Sequence, residues 1–530
     1  MKPIATDNYD FERLITDGYT YVDKTDMLWK LANGKNGTLF FISRPRRFGK
    51  SLMLSTFKCL FEGKKKLFKG LKIEKRWDWS KTYPVISLNM SDYDKEGTRE
   101  GFRQSLRTEL HERLRKHGIP YEETDAPGNL FDRLIKGLAA ASPHRQVVVL
   151  VDEYDHPLGG LLDDRKALRT MRREMHGFYS TLKNNVGIIR FLMMTGVSKF
   201  TKLSVFSGLN NLNDLTIEDP NYAALLGYTV KEIETVLAPH LKAFARKQRV
   251  APAEAVKLLC HWYDSYRFSP YSNVRVLNPV AVGKALRSGI LMNYWSKTGM
   301  PTLILERLQA CDKRPDNIDG VTATFEDLDV CDAEDLPWVS LLYQSGYLTI
   351  KKPLWTDEGG RHVKELVLGV PNKEVRTSLN SLWWKQLMKI EEKDFNALVD
   401  VAREQLSGGD VRMLVGKTLF SLYASLPPTW RVKSEADAKR HFQLFMKMLG
   451  ANVQAEEASA FGYADAIVET KRAVYVFEYK FNKSAKAAIR QIRERGYADA
   501  YKADRRPVTL IGINFSAKKR NIDEPLIEAM

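Results

Sequence analysis

The chain has 530 residues, of which 44% are hydrophobic and 28% charged, and its formal net charge is +17. This length exceeds what one hydrophobic core organises, so we expect two or three domains. The excess of Lys and Arg indicates either an anionic partner such as nucleic acid or a generally basic soluble surface, and charge alone does not decide between them. Four cysteines without C-x-x-C spacing argue against structural zinc and for a reducing cytoplasm. No apolar run reaches membrane-spanning length and no secretory signal is visible, so we expect no membrane partner.

The first chemical motif is an apolar strand at 38–43 that runs directly into a phosphate-binding loop and a helix. The loop reads R-P-R-R-F-G-K-S over residues 44–51, and backbone N–H groups at such a turn attract phosphate oxygens. We predict that Lys50 contacts the β- and γ-phosphates of ATP and that Ser51 holds Mg²⁺. Arg44 replaces the usual first glycine, and the arginines add positive charge beside the phosphates. The predicted nucleotide-binding residues of the loop are Arg44, Arg46, Arg47, Phe48, Gly49, Lys50 and Ser51.

Two further strands are predicted to end beside this loop. Residues 147–153 read V-V-V-L-V-D-E, which is typical of a buried parallel strand. Its end would present Asp152 to Mg²⁺ and Glu153 to an attacking water, with Asp155 as the alternative base. A third strand ends in polar Thr195, beside the expected γ-phosphate position. Ligands in open α/β sheets bind at the carboxyl ends of strands, which is why we prefer this interpretation to core strands with incidental acids.

The order of predicted elements indicates three domains. Alternating strands and helices over 1–228 predict a P-loop domain with a parallel sheet, and helices dominate from residue 229. A strand pair within 335–375 is either a winged-helix-like module or a hairpin that closes a lid. Aromatic residues before the loop either flank an adenine base or pack the first helix, and packing is favoured. The predicted strands of the first domain lie near 38–43, 84–89, 147–151 and 188–195. The predicted domains are 1–228, 229–400 and 401–530.

A second chemical motif lies near the C-terminus. Residues 461–480 read F-G-Y-A-D-A-I-V-E-T-K-R-A-V-Y-V-F-E-Y-K, which predicts a β-hairpin. Side chains alternate along a strand, so Glu478 and Lys480 share a face, and strand pairing brings Asp465 near Glu478. Two carboxylates suit Mg²⁺ or Mn²⁺, and the lysine would orient or activate water. The alternative is a charged sheet face in a non-catalytic fold.

Helices and a last strand surround this hairpin in the predicted order α-β-β-β-α-β. The preceding helix covers 436–450, and the following helix carries Gln491, which we count with Asp465, Glu478 and Lys480 among the catalytic residues. The acids Asp465 and Glu478 are the predicted metal ligands of this second site, as Ser51 and Asp152 are of the first.

With both motifs in view, the chain resembles the prokaryotic AAA-ATPase-like family, and its C-terminal part resembles the PD-(D/E)xK nuclease superfamily. Under this resemblance Asp465, Glu478 and Lys480 match the D…E-x-K signature, and Gln491 matches a glutamine on the following helix. The superfamily often has an acid on the preceding helix, for which Glu435 and Asp437 both qualify. Arg44 fits the family's loop pattern. The matching segments are Y-V-D-K-T (21–25), R-P-R-R-F-G-K-S (44–51), V-D-E-Y-D (151–155), T-G-V-S-K-F (195–200), Y-D-S-Y-R-F (263–268), L-Y-Q-S-G-Y-L-T-I (342–350) and L-G-V-P-N-K-E-V-R (368–376).

We therefore interpret the chain as a cytoplasmic ATP- and Mg²⁺-dependent nuclease that acts on DNA. The sequence does not decide between a monomer and a homo-oligomer. Its predicted fold class is α/β: a P-loop NTPase domain, a helical lid with a winged-helix-like region, and a C-terminal restriction-endonuclease-like domain. One rival is a nucleotide-switched nucleic-acid-binding protein with a non-catalytic nuclease fold. Another is a signalling ATPase, which fits the basic charge poorly.

Overall fold

A computed structural model gives the structure of the chain. It describes residues 1–35, 37–93, 96–199, 212–295, 301–311, 313, 315, 317–329, 337–356, 363–388, 392–426, 432–449, 451–454, 457–459 and 462–530. Two compact units are present: an N-terminal unit of Met1–Met300 and Ile318–Val375, and a C-terminal unit of Pro301–Asn317 and Arg376–Met530. The three predicted domains stay a prediction. Phe200 and one of the four cysteines, Cys331, lie outside the described residues.

The N-terminal unit is built on a sheet of five parallel strands. These are β1 (Leu39–Ser43), β2 (Val85–Asn89), β3 (Val147–Asp152), β4 (Ile189–Gly196) and β5 (Asn213–Asp214). Their order across the sheet is β2-β3-β4-β1-β5. Strands β1 and β3 are buried throughout and apolar up to their last residues, Ser43 and Asp152, as expected for strands covered on both faces. The predicted parallel sheet is confirmed, with β1 to β4 within one residue of the expected ends, whereas the short β5 was not predicted.

Helices pack around this sheet and form a second core beyond it. The first seven are α1 (Phe11–Thr16), α2 (Thr25–Ala32), α3 (Lys50–Phe61), α4 (Arg99–Lys116), α5 (Pro127–Ala141), α6 (His156–Gly159) and α7 (Arg165–Asn184). The next four are α8 (Val230–Thr235), α9 (Ala238–Gln248), α10 (Pro252–Tyr263) and α11 (Pro279–Ser288). Apolar faces of α8 to α11 bury a cluster that includes Ile233, Leu241, Leu259 and Val282. The predicted change to helices after residue 229 is therefore confirmed.

A small antiparallel sheet completes the N-terminal unit. Helix α12 (Pro301–Ala310) precedes it in the chain and belongs to the C-terminal unit. The sheet region contains β6 (Val321–Ala323), α13 (Phe325–Asp329), α14 (Trp338–Gln344), β7 (Thr349–Trp355) and β8 (Val363–Gly369). The strands are ordered β6-β8-β7. The predicted strand pair is present as β7 and β8, and β6 adds a third strand that was not predicted.

The C-terminal unit combines helices with a mixed sheet. Its helices are α15 (Lys373–Met388, which begins in the N-terminal unit), α16 (Glu392–Gly408), α17 (Val411–Met413), α18 (Phe420–Ala424), α19 (Glu435–Met448) and α20 (Ala485–Glu494). Its strands are β9 (Asn452–Gln454), β10 (Glu457–Ser459), β11 (Gly462–Ala464), β12 (Ala466–Glu469), β13 (Val474–Phe481), β14 (Val508–Ser516), β15 (Asn521–Ile522) and β16 (Leu526–Ala529). The main sheet runs β15-β14-β13-β12-β9, with β16 also on β14, and β10 pairs with β11.

The predicted hairpin is confirmed as β12 and β13, which pair antiparallel with Ala466 opposite Phe477. Strand β14 joins β13 in parallel, as a crossover through α20 requires. Apolar side chains of α20, including Ile489 and Ile492, pack on β13 and β14 and bury the core of this sheet. The sheet therefore holds Asp465 and the residues of β13 on a rigid base.

Candidate nucleotide site and candidate metal centre

The phosphate-binding loop connects β1 to α3. Gly49 has φ 99° at the start of α3, a left-handed conformation that glycine adopts without steric cost. Arg47 has φ 67°, which is uncommon for a residue with a side chain. The first N–H groups of α3 have no partner within the helix, and they carry its positive dipole end. The loop therefore has the features of an anion site that the sequence predicted.

Lys50 turns back onto this loop. Its ammonium donates hydrogen bonds to the main-chain oxygens of Arg44 at 2.7 Å and Pro45 at 3.1 Å. The side chain is buried, and this burial lowers the pKa of Lys50, whereas the nearby carboxylates of Asp152 and Asp155 act against that shift. A buried ammonium held among oxygens, with acids close by, is suited to contact phosphate groups.

Arg44 is buried against the sheet. Its guanidinium donates to the carbonyl oxygens of Ser43 at 2.8 Å and Thr216 at 2.7 Å, and it lies 4.2 Å from the centre of the Phe268 ring. Burial lowers the pKa of Arg44 to about 10. These contacts account for an arginine at the usual glycine position by packing and hydrogen bonds. A phosphate contact by Arg44 stays a prediction.

The other loop residues differ in exposure. Arg46 is exposed, and Arg47 is half-buried and donates to the carbonyl oxygen of Tyr294 at 3.3 Å. Phe48 is buried, and its ring contacts Tyr266 edge-on with a centroid distance of 4.9 Å. Phe48 therefore anchors the loop to the residues that follow α10.

The carboxyl ends of β3 and β4 meet beside this loop. In the sheet register Thr195 of β4 lies opposite Ile42 of β1. The Thr195 hydroxyl donates to a carboxylate oxygen of Asp152, which also accepts from the backbone N–H of Glu153 at 3.0 Å. Glu153 has φ 51°, a conformation that costs a non-glycine residue on the order of 1 kcal/mol or more. This strained residue changes the direction of the chain directly after the buried end of β3.

Asp155 is engaged by the backbone that follows β4. It is buried, and its carboxylate accepts from the N–H groups of Val197 at 3.1 Å and Ser198 at 2.7 Å. Burial raises the pKa of Asp155, and the hydrogen bonds to Ser198 and Val197 act against that shift. The geometry gives Asp155 a structural task and leaves Glu153, which is half-buried, as the acid at the turn.

A pocket opens beside the start of α3. Residues from the N-terminal segment, α3 and the chain after β5 form it, and they include Thr6, Tyr9, Tyr21, Phe48, Leu52 and Tyr228. Tyr21 also packs edge-on against Phe11 of α1, with a centroid distance of 5.2 Å. The Thr6 hydroxyl is buried and has no hydrogen-bond partner among the described residues. The aromatics before the loop thus pack α1 and also line a pocket next to it.

The second site lies where the hairpin and α19 meet in the C-terminal unit. Carboxylate oxygens of Glu435, Asp465 and Glu478 all lie within 4.8 Å of one another. Asp465 accepts from the backbone N–H of Tyr479 at 2.8 Å, which fixes it against β13. Lys480 shares the sheet face with Glu478 and lies 2.7 Å from its carboxylate and 3.4 Å from that of Glu435. The structure therefore brings together the three residues that the hairpin pattern singled out.

Burial makes this cluster electrostatically costly. It raises the pKa of Glu478 to about 7, with the Asp465 charge adding to the shift and Lys480 opposing it. Burial also raises the pKa of Asp465. One oxygen of Glu478, Oε2, is buried and has no hydrogen-bond partner among the described residues. Three close carboxylates with an orphaned oxygen form a donor set that fits Mg²⁺ or Mn²⁺.

The remaining predicted residues lie at different distances from this cluster. Of the two candidate helix acids, Glu435 joins the cluster, whereas Asp437 accepts from the backbone N–H of Lys433 at 3.2 Å. Gln491 of α20 donates to the Tyr497 hydroxyl at 3.3 Å. It lines a polar surface pocket together with Lys480, Lys483, Ala487, Arg490, Glu494, Arg495 and Tyr497.

Lys439 is a residue of this site that the sequence analysis missed. It lies on α19, and its ammonium forms an ion pair with Asp465. Burial lowers the pKa of Lys439, but the hydrogen bond to Asp465 and the charges of Asp465, Glu478 and Glu435 together raise the pKa above its ordinary value. The available signal was its position four residues after Glu435, which places both side chains on one helix face.

Comparison with known proteins gives matches to the two parts of the chain in which these residues lie. A family model described as a predicted AAA-ATPase matches residues 3–206, and one described as the PD-(D/E)XK nuclease superfamily matches residues 433–525. The chain is also 33% identical over 525 residues to a protein of Azotobacter chroococcum mcd 1 named "Uncharacterized protein in vnfD 5'region". That alignment covers 97% of this chain and 96% of the relative. The chain belongs to the AAA-ATPase-like family.

This AAA-ATPase-like chain thus joins an ATPase-type domain to a nuclease-superfamily domain. Such domains generally use a nucleotide and a divalent metal, and the carboxylate cluster lies within the second match. Among the described residues, no helix combines the length and apolar character needed to cross a membrane.

Proposed function

We propose that this protein hydrolyses ATP and cleaves DNA in a reaction that depends on Mg²⁺. The observation that carries the proposal is the convergence of Glu435, Asp465 and Glu478 beside Lys480. Buried carboxylates this close repel one another, so the arrangement is unfavourable for a merely structural sheet face. The orphaned Oε2 of Glu478 adds a ligand atom that a cation would satisfy.

In the nucleotide site each residue has a separate task. The ammonium of Lys50 and the N–H groups at the start of α3 would hold the phosphates. The Ser51 hydroxyl and Asp152 would hold Mg²⁺, while Thr195 keeps the Asp152 carboxylate in place through its hydrogen bond. Glu153 would accept a proton from the attacking water. The pocket that Tyr21 and Leu52 line would take the base.

In the nuclease site Asp465 and Glu478 would hold the metal, with Glu435 at its edge. A bound divalent ion supplies charge stabilisation at the scissile phosphate and lowers the pKa of water. Lys480 is fixed by Glu478 at 2.7 Å, so its ammonium can orient the attacking water. Gln491 lines the adjoining surface pocket and would position the same water or a phosphate oxygen.

Positive charge around this site supports a nucleic-acid substrate. Lys480, Lys483 and Arg490 line the surface pocket with Gln491, and the whole chain carries a net charge of +17. Cationic side chains bind phosphates and release counterions, so binding to DNA should fall steeply as salt increases. The cytoplasm is the expected compartment, because the four cysteines are scattered without C-x-x-C spacing.

Cleavage of supercoiled plasmid tests the proposal. Full-length protein should nick plasmid with Mg²⁺ and lose that activity in EDTA. Lys480→Met keeps the length of the side chain and should lower the cleavage rate by at least about 100-fold, because the group that orients water is lost. Lys471→Met, at the exposed turn of the same hairpin, is the matched control. Equal nicking by wild type and Lys480→Met would refute the assignment.

A nucleotide-switched binder with an inactive nuclease fold is the second candidate. One observation favours it: Lys439 already neutralises Asp465, so the cluster is partly balanced without metal. This candidate predicts ATP-dependent binding of plasmid with no nicking in Mg²⁺ or Mn²⁺. The plasmid experiment, read with and without ATP, separates the two candidates.

A further inference from the structure

Lys439 occupies the position at Asp465 where a divalent cation would bind. Its ammonium pairs with Oδ1 of Asp465, while Oδ2 accepts the backbone N–H of Tyr479 at 2.8 Å. Both carboxylate oxygens of Asp465 therefore have partners from the protein. The Lys439 side chain is 28% exposed and that of Asp465 is 5% exposed. The ammonium thus reaches inward from a partly exposed position.

The summed charge of the cluster determines the electrostatic environment of a bound metal ion. In the ionised form that binds a metal, the carboxylates of Glu435, Asp465 and Glu478 carry −3. The ammoniums of Lys439 and Lys480 carry +2, which leaves −1. Adding a divalent cation brings the sum to +1, and it places that cation beside the ammonium on Asp465. Like charges repel strongly at this range in a poorly hydrated site.

Lys480 cannot relieve that repulsion as Lys439 can. The Lys480 ammonium also donates to the carbonyl oxygen of its neighbour Tyr479 at 2.8 Å, and its side chain is only 6% exposed. Lys439 sits on α19 with a long, flexible stem and an exposed edge. Of the two ammoniums, Lys439 is therefore the one that a cation can displace toward solvent.

We infer that Lys439 is a positioning residue that stands in for the divalent cation at Asp465 and moves onto a nucleic-acid phosphate when the metal enters. The inference rests on the metal centre proposed above. A phosphodiester supplies the missing −1 and brings the loaded site to neutrality. Metal binding is accordingly weak in the free protein and stronger when nucleic acid is present.

Metal affinity in the full-length protein tests this directly. Calorimetry with Mn²⁺ and no nucleic acid should show roughly tenfold or tighter binding for Lys439→Met than for wild type, because the competing charge is gone. Lys439→Arg keeps the charge and should bind like wild type. Arg440→Met is the matched control, since Arg440 is the next residue on α19 and lies 3.9 Å from Asp437.

The second experiment measures Ca²⁺ affinity with and without duplex DNA. DNA should increase the Ca²⁺ affinity of wild type, and Lys439→Met should lose most of this increase. Lys439→Gln repeats both measurements if the methionine variant fails to fold. Unchanged or weaker Mn²⁺ binding in a folded neutral variant, or an equal gain from DNA, would overturn the inference.

These outcomes are distinct from failure of the metal centre itself. If wild type binds Mn²⁺ and Asp465→Asn removes that binding, the centre stands, and only the role of Lys439 is under test. If no variant binds Mn²⁺ at this cluster, the proposed nuclease centre fails together with the inference.

Discussion

Asp155 holds the backbone of Ser198, whose N–H donates to its carboxylate at 2.7 Å. This bond ties the turn after β3 to the chain that leaves β4. Both strand ends lie at the edge of the sheet that carries the phosphate-binding loop. The acid that looks like an alternative base in the sequence thus has a structural partner, and the two acids of this turn should respond differently to mutation.

Glu153→Gln should retain ATP and hydrolyse it about 100-fold to 10,000-fold more slowly, because the water loses its proton acceptor. Asp155→Asn should instead lower the free energy of unfolding by about 1.5–3 kcal/mol through weaker hydrogen bonds to Val197 and Ser198. Steady-state ATPase rates and thermal unfolding check both variants. If Glu153→Gln hydrolyses ATP normally and folded Asp155→Asn does not, Asp155 is the base.

Lys50→Ala should abolish tight ATP binding. The ammonium already lies among the carbonyl oxygens of the loop, 2.7 Å from that of Arg44, so its charge is fixed where phosphates are expected. Titration calorimetry should show an affinity at least about 100-fold weaker than wild type. Lys58→Ala, on the exposed side of the same helix, is the control and should bind normally. Equal affinities for Lys50→Ala and wild type would remove the phosphate-site assignment.

Glu374 should make the N-terminal unit less stable as pH rises. It is buried at the start of α15 and accepts from the N–H groups of Tyr294 and, at 2.6 Å, of Trp295. Burial raises the pKa of Glu374 from 4.5 to about 7, although these hydrogen bonds and the nearby Arg47 oppose the shift. Between those values the folded state keeps a proton that the unfolded state has released, so folding weakens with increasing pH.

Replacement of this carboxyl isolates its effect. Glu374→Gln keeps the hydrogen-bond acceptor but does not ionise, so its stability relative to wild type should grow from pH 5 to pH 8. The difference should reach on the order of 3 kcal/mol. Thermal unfolding at the two pH values measures it, and exposed Glu326→Gln is the control. A constant difference between wild type and Glu374→Gln would show that Glu374 does not titrate in this range.

The sequence predicts elements whose determinants are local. Strand β3 is an uninterrupted apolar run up to Asp152, and the pairing of β12 with β13 follows from alternation around a short turn, so both were located closely. The contacts that were missed join distant residues. Arg44 bonds to Thr216, which lies 172 residues away, and no local pattern signals that partnership.

In the candidate metal centre, too, the local contacts were predicted and the contacts between distant residues were not. The convergence of Asp465 with Glu478 follows from hairpin geometry, and it was predicted. The choice of Glu435 over Asp437 depends on how α19 is rotated against the sheet, which packing determines. Lys439 became visible only once that rotation was known, because a lysine on an amphipathic helix is otherwise typical of a solvated face.

The pocket beside α3 should hold the base of the nucleotide. Leu52 lines it three residues after Gly49, and both belong to the segment that forms the phosphate site. Leu52→Trp should fill the pocket and weaken ATP binding by roughly tenfold or more, since an overfilled site excludes the ligand. Tripolyphosphate has no base, so its affinity should be nearly unchanged in the same variant.

The comparison of the two ligands separates the base pocket from the phosphate loop. Lys58→Trp places the same bulk on the exposed side of α3 and should leave ATP affinity unaltered. Thr6→Val removes a buried hydroxyl that has no partner among the described residues, so it should stabilise the protein by about 1 kcal/mol. If the Thr6 hydroxyl forms a hydrogen bond with the nucleotide, Thr6→Val also weakens ATP binding severalfold and leaves tripolyphosphate binding unchanged. Equal losses for ATP and tripolyphosphate in Leu52→Trp would show that the substitution disturbs the loop, and the pocket would lose its assignment as the base site.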